Sequence, residues 1–109
     1  MTILITGSAG GLGKLLIPVM AARYSDDIIT TGRAASSSYN NYVQCDLSSA
    51  GQVKDLIAST RPRLIFHLAG SFLSDFDNDL LVNAISAKII FDTLISENIT
   101  ARVVIIGSA

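Results

Sequence analysis

Residues 1–16 read MTILITGSAGGLGKLL, and their second half decides the fold. Ile3, Leu4, Ile5 and Thr6 form a short β-friendly run, and Leu15, Leu16 and Ile17 belong to an apolar helical pattern. Between them stand four glycines within seven positions, Gly7, Gly10, Gly11 and Gly13. Glycine has the most conformational freedom to lose on folding, so a cluster between two regular elements marks a place where the backbone has to be bare. A strand that runs through such a turn into a helix offers unpaired N–H groups and a partial positive charge, which suit a pyrophosphate. In a parallel sheet this turn lies beyond the carboxyl ends of the strands, where ligands bind. Gly7, Gly10 and Gly13 therefore read as bare for the sake of a dinucleotide; the competing reading is a Gly-rich turn with a structural role only. A phosphate loop of the G-x-x-x-x-G-K-[ST] type is rejected. Gly13-Lys14 would be its GK pair, but Ser8 stands at its first glycine and Leu15 replaces its magnesium-binding hydroxyl.

Outward from this turn, short β-rich runs alternate with longer helical patterns. Strands are expected over Ile3–Thr6, Asp27–Thr31, Tyr42–Cys45, residues 63–70 and residues 102–109. Helices are expected from about Gly11 to Tyr24, over residues 48–60 with Ser48 or Ser49 as N-cap, and over residues 79–98. The polar stretch 32–41 reads as a loop. The apolar character of the strand runs predicts a parallel α/β sheet covered on both faces. Pro18 predicts a bend in the first helix, because it removes the bond to the Lys14 carbonyl and crowds it. In the long helix Lys88, Asp92 and Ser96 form one narrow polar stripe. Leu80, Leu81, Val82, Ile85, Ile89, Ile90, Phe91 and Leu94 give it more apolar surface than one sheet face needs. It is expected to pack on another helix as well, making a homo-oligomer through residues 80–95, or else to be a deeply buried central helix.

The 109 residues suffice for one domain, 1–109, and half of them are hydrophobic. The formal net charge of −1, without a basic block, points away from a nucleic-acid partner. The single Cys45 forms no internal disulfide and fits a reducing compartment. With no signal-peptide pattern and no run of about 18 apolar residues, no membrane span is expected and the setting reads as cytoplasmic.

TGSAGGLG, residues 6–13, resembles the short-chain dehydrogenase/reductase superfamily and satisfies both T-G-x-x-x-G-x-G and T-G-x-x-G-x-x-G. Four further stretches fall in register with its extended branch, the NAD-dependent epimerase/dehydratase family. CDLSS (45–49) resembles the Asp-hydrophobic pair, RPRLIFHLAG (61–70) the fourth strand that often ends H-L-A-A, and VNAISAKIIFDTL (82–94) the V-N-x-x-G-T-x-x-L-L helix. RVVIIGSA (102–109) resembles the strand that ends in the catalytic Ser or Thr. The resemblance implies a Rossmann-type doubly wound parallel sheet of five strands in order 3-2-1-4-5, truncated before the family's substrate-binding part. It implies cofactor contacts from Thr6, Gly7, Ser8, Gly10, Gly11, Leu12 and Gly13, adenine contacts from Asp46 and Leu47, and nicotinamide-ribose contacts from Ala69 and Gly70. Ser108 falls on the catalytic Ser position, and Asn83 on an Asn that supports the active site. Ser86 stands where Gly is usual, and Gly107 where another Ser is common.

The implied chemistry is NAD(P)-dependent oxidation and reduction of a small-molecule substrate, commonly a nucleotide sugar, by an epimerase, dehydratase or reductase. Hydride transfer to a carbonyl needs a proton donor at its oxygen. None of Tyr24, Tyr39 and Tyr42 stands in Tyr-x-x-x-Lys spacing, so these residues are not expected to complete the reaction unaided. Two alternatives stand beside this reading: an alcohol or ketone dehydrogenase of the compact branch, and a non-catalytic redox-sensing module that reads NADP. FHLAG argues against the compact branch, which usually has N-N-A-G there.

NAD-binding folds often carry an acid about 20 residues after the glycines. Here TTGRAASSS (30–38) has none, but has Arg33, which can accept a 2′-phosphate; NADP(H) is therefore favoured over NAD(H). The lone His67 reads as a satisfied core histidine. No metal site is expected: the acids and Cys45 lack ligand spacing, and Asp75, Asp77 and Asp79 read as a helix-capping turn.

Overall fold

The structure, a computed structural model, describes residues 1–7, 11–32, 41–68 and 76–105, with the backbone only for 11–14 and 76–83. Along the chain the elements are β1 (Thr2–Thr6), α1 (Gly11–Arg23), β2 (Asp27–Gly32), β3 (Tyr42–Gln44), α2 (Ala50–Thr60), β4 (Leu64–His67), α3 (Phe76–Ser96) and β5 (Arg102–Ile105). They form one parallel sheet in the order β3-β2-β1-β4-β5. β1 is its centre, pairing with β2 from Thr2↔Asp27 to Thr6↔Thr31 and with β4 from Ile3↔Leu64 to Thr6↔His67. Parallel strands register their carboxyl ends at one edge, so Thr6, Thr31 and His67 come level there.

The alternation of β1 divides the core in two. Ile3 and Ile5 face α1 and pack with Met20, Ile28 and Leu64, flanked by Leu16, Ile17 and Tyr24. Leu4 faces the other way and joins Ile65, Val53, Leu56, Ile57, Ile90 and Leu94 beneath α2 and α3. Helices thus cover both faces, and a strand buried on both sides has to be apolar throughout. Each fully buried aliphatic side chain contributes about 1.5–3 kcal/mol. Ile3, Leu4, Ile5, Ile57 and Ile65 all fall in that class.

Local signals set the helix ends. Ser49, of the two candidate serines, is the N-cap of α2, its Oγ accepting from the Gln52 N–H at 3.4 Å. Val53, Leu56 and Ile57 form the buried stripe of α2. Arg61 then turns left-handed at φ 43°, donating its N–H to the Ile57 carbonyl at 2.8 Å, and buried Pro62 follows. Asn98, at φ 54°, stops α3 in the same way, with Ile99 N–H bonded to the Leu94 carbonyl at 2.9 Å. α3 begins at Phe76 rather than Asp79, so Asp77 and Asp79 lie inside its first turn instead of ahead of it. α1 continues through Pro18 to Arg23. β4 closes at His67 and β3 at Gln44, each shorter than its apolar run suggests.

The long helix is neither wholly buried nor simply amphipathic. Ile90 and Leu94 are buried against α2 and the sheet, while Phe91 and Ile95 are exposed, Ile95 to 78%. Lys88 and Asp92 pair with each other across one turn on the exposed side.

Candidate functional site

The carboxyl edge of β1 is where the sequence departs from regular structure. Gly7 adopts φ 68°, a left-handed conformation that a side chain disfavours. Its N–H donates to the Thr31 carbonyl at 3.2 Å, so the turn leaves β1 while still tied to β2. α1 starts at Gly11, which aims a helix N-terminus, with its orphan N–H groups, at the space beyond the sheet edge. Gly11, Leu12 and Gly13 form the first turn of that helix; Ser8 and Gly10 lie outside the described residues. Bare backbone, a left-handed turn and a helix start at the carboxyl edge fit the pyrophosphate of a dinucleotide.

Thr6 points the other way. It is fully buried, and its Oγ1 shares a 2.8 Å hydrogen bond with Nδ1 of His67. Nε2 of the same ring meets Ser86 Oγ of α3 at 3.3 Å. Burial pushes the His67 pKa below its ordinary value and keeps the ring neutral. His67 is thus a satisfied core histidine, as its setting among apolar residues suggests. Ser86 carries a structural role that sequence reasoning missed, having treated it only as a departure from a usual glycine. No local pattern sets Ser86 apart, since Thr93, two turns further along the same helix, is buried as well.

The neighbouring edge, at β2 and β3, is pinned by backbone and side-chain bonds. Thr31 Oγ1 donates to the Val43 carbonyl at 2.6 Å, and the Cys45 N–H donates to the Gly32 carbonyl at 2.9 Å. A Cβ on Gly32 would stand 3.1 Å from the Tyr42 hydroxyl, so a side chain there requires the Tyr42 ring to give by a few tenths of an ångström. Asp46 follows in a tight turn: its Oδ1 accepts from the N–H and hydroxyl of Ser48 at 3.0 and 2.6 Å, and its N–H donates to Gln52 Oε1 at 2.8 Å. Leu47 is buried in the core beside Cys45 and Val53, which leaves its backbone rather than its side chain for any contact beyond the edge. Burial raises the Cys45 thiol pKa, helped by the Asp46 charge.

The fold therefore brings Thr6, Gly7, the start of α1, Asp46 and Leu47 to one edge of the sheet. Arg33, Ala69, Gly70 and Ser108 lie outside the described residues, as does the side chain of Asn83. Among the described residues no cluster of His, Cys, Asp and Glu is arranged to hold a metal ion, and no helix is long and apolar enough to cross a membrane.

Solved structures share this architecture. L-threonine dehydrogenase from Phytophthora infestans superposes with a TM-score of 0.82 at 22% identity over 96% of this chain and 35% of that one. UDP-glucose 4-epimerase from Thermotoga maritima, solved with UDP-glucose, gives 0.79 at 18% identity, over 96% and 37%. The Bordetella bronchiseptica enzyme WbmH, solved with NAD+, gives 0.71 at 21% identity, over 90% and 36%. These likenesses establish the fold, and the chain spans little more than a third of each of those proteins. A comparison with curated proteins returned no match. The model of the NAD dependent epimerase/dehydratase family matches residues 3–109, almost the whole chain. With the glycine turn and the 3-2-1-4-5 sheet in place, the chain belongs to that NAD dependent epimerase/dehydratase family.

Proposed function

We propose that residues 1–109 are the NAD(P)-binding domain of an extended short-chain dehydrogenase/reductase that acts on a sugar or nucleotide sugar. The observation that carries this reading is the Gly7 turn, at φ 68° between the central strand and the start of α1. The pyrophosphate would lie over Gly7, Ser8, Gly10, Gly11, Leu12 and Gly13, receiving backbone N–H groups at the positive end of α1. Thr6 supports that turn from below. Asp46 and Leu47 follow the end of β3 on the same edge and would meet the adenine. Ala69 and Gly70 would meet the nicotinamide ribose after β4. Bound there, the nicotinamide supplies hydride transfer; the residues named here bind and orient.

The finer cofactor choice rests on Arg33 and on the absence of an acid among residues 30–38. A guanidinium binds a 2′-phosphate through two parallel charge-assisted bonds, which favours NADP(H) over NAD(H). Ser108 would contribute a hydroxyl at the substrate, supported by Asn83. No tyrosine of this stretch stands in Tyr-x-x-x-Lys spacing, so the proton donor for carbonyl reduction is not supplied by these residues. UDP-glucose in the similar Thermotoga epimerase supports a nucleotide-sugar substrate.

Calorimetric titration with NADP+ and NAD+ tests the reading. Binding of NADP+ in preference to NAD+ is expected. Equal affinity, or a preference for NAD+, overturns the cofactor choice, and no binding of either overturns the dinucleotide reading.

A further inference from the structure

His67 ends β4 directly beside Thr6 in the sheet register, so both side chains arrive at the same edge. His67 is 3% exposed, and both ring nitrogens are engaged, Nδ1 with Thr6 Oγ1 and Nε2 with Ser86 Oγ. A neutral imidazole has one donor and one acceptor nitrogen, and a hydroxyl serves as either. The three side chains therefore form a continuous chain that either neutral tautomer of the ring satisfies, and rotating the ring costs two bonds at once. Three apolar side chains would fill the same volume without that demand. Buried polar groups are costly unless each is bonded, and once bonded they fix orientation more sharply than apolar packing does. The chain joins β1, β4 and α3 at one point. The next residue along β1 is Gly7, where the backbone turns left-handed and bonds to Thr31.

We propose that His67 is a positioning residue for the dinucleotide loop: its bond to Thr6 holds the end of β1, and with it the Gly7 turn, in the geometry that receives the pyrophosphate, while Ser86 fixes the rotation of the ring. This rests on the dinucleotide reading of the Gly7–Gly13 turn. Thr6 is fully buried, so its hydroxyl acts on the ligand only through the backbone that follows it. α3 is thereby tied to the loop through Ser86, His67 and Thr6.

Two substitutions separate the two bonds. Asn carries its amide near the place of Nδ1, and Gln carries its amide near the place of Nε2. His67→Asn keeps the tie to Thr6 and loses that to Ser86; His67→Gln does the reverse; His67→Phe removes both. NAD+ and NADP+ are titrated by calorimetry, hydrogen exchange is followed at the Gly7 amide, and the melting temperature is recorded. His67→Gln and His67→Phe should weaken binding about tenfold, the weight of one hydrogen bond, while His67→Asn stays within about twofold of wild type. Gly7 exchange should accelerate in the Gln and Phe variants and not in Asn. If His67→Phe does not fold, the Asn and Gln pair decides alone. Equal affinity in the Asn and Gln variants, or affinity that follows the melting temperature alone, overturns the positioning role. A wild-type protein that binds neither dinucleotide overturns the dinucleotide reading instead, and Gly7 exchange then decides by itself whether His67 sets the turn.

Discussion

Arg63 grips Asp26 across the amino edge of the sheet, opposite the glycine turn. Its Nη2 donates to Asp26 Oδ1 at 2.9 Å and its Nε to Oδ2, while the guanidinium lies 5.4 Å from the centre of the Tyr24 ring. The residues stand just ahead of β4 and β2 and so flank the start of β1, where the Arg63 N–H also bonds to the Thr2 carbonyl at 2.9 Å. Arg63→Ala should lower the melting temperature. Arg63→Lys should restore only part of the loss, because an ammonium makes no parallel pair of bonds with a carboxylate. The bond to Arg63, above all, holds the Asp26 carboxyl below its ordinary value of 3.8. That contribution is present above about pH 3.8 and is lost as the pH falls through the lowered native value. Acid denaturation followed by circular dichroism should be shallower in Arg63→Ala than in wild type.

His67 titrates in a different window, set by burial. Its native pKa lies below the ordinary 6.5, so the unfolded chain takes up the proton first. Stability should hold above about pH 6.5 and decline as the pH drops toward the lowered native value. His67→Asn should flatten this limb while leaving the Asp26 limb in place. Unfolding midpoints in urea, measured across the acid range, check both.

Gly7→Ala forces a Cβ into the left-handed region that Gly7 occupies at φ 68°. A loss of about 1–2 kcal/mol in folding stability is expected, with a larger loss in dinucleotide affinity because the turn itself must shift. Gly13→Val should leave the sheet folded and abolish binding, since it adds bulk where helix, strand and pyrophosphate converge. Circular dichroism with calorimetry separates the two effects; normal binding in a folded Gly13→Val would remove the phosphate-loop assignment.

Arg33→Ala should weaken NADP+ by roughly 1.5–3 kcal/mol, the worth of a hydrogen bond to a charged group, and leave NAD+ unchanged. Parallel titrations of both dinucleotides read the difference. An equal loss for both would move Arg33 from the 2′-phosphate to a general electrostatic role.

Phe91 and Ile95 leave apolar surface on α3 beyond what the sheet buries. The 109-residue protein should therefore associate through the 80–95 helix, and Ile95→Glu should shift it toward monomer in size-exclusion chromatography with light scattering. A monomeric wild type would remove this association. No NADPH oxidation on nucleotide-sugar ketones is expected from these residues alone; turnover would reveal a proton donor outside the Tyr-x-x-x-Lys pattern.

Local order decided what the sequence by itself determined. The apolar runs at Ile3–Thr6 and residues 64–67, the capping serine and stripe of α2, and the glycines after Thr6 are readable because each depends on neighbours a few positions away. Their alternation, with the family motifs in order, sufficed for the parallel 3-2-1-4-5 sheet and for the carboxyl edge at which the glycine turn stands. Only the tertiary structure decided how the side chains at that edge are used. Thr6 turns inward to a histidine 61 positions away, and Asp26 finds its arginine 37 positions on. Leu47, expected at the adenine, spends its side chain on the core. Ser86 completes a buried chain of bonds that no periodicity announces. A hydrogen bond between strands depends on register and depth, and both are set by the packing of the whole sheet rather than by any stretch of the chain.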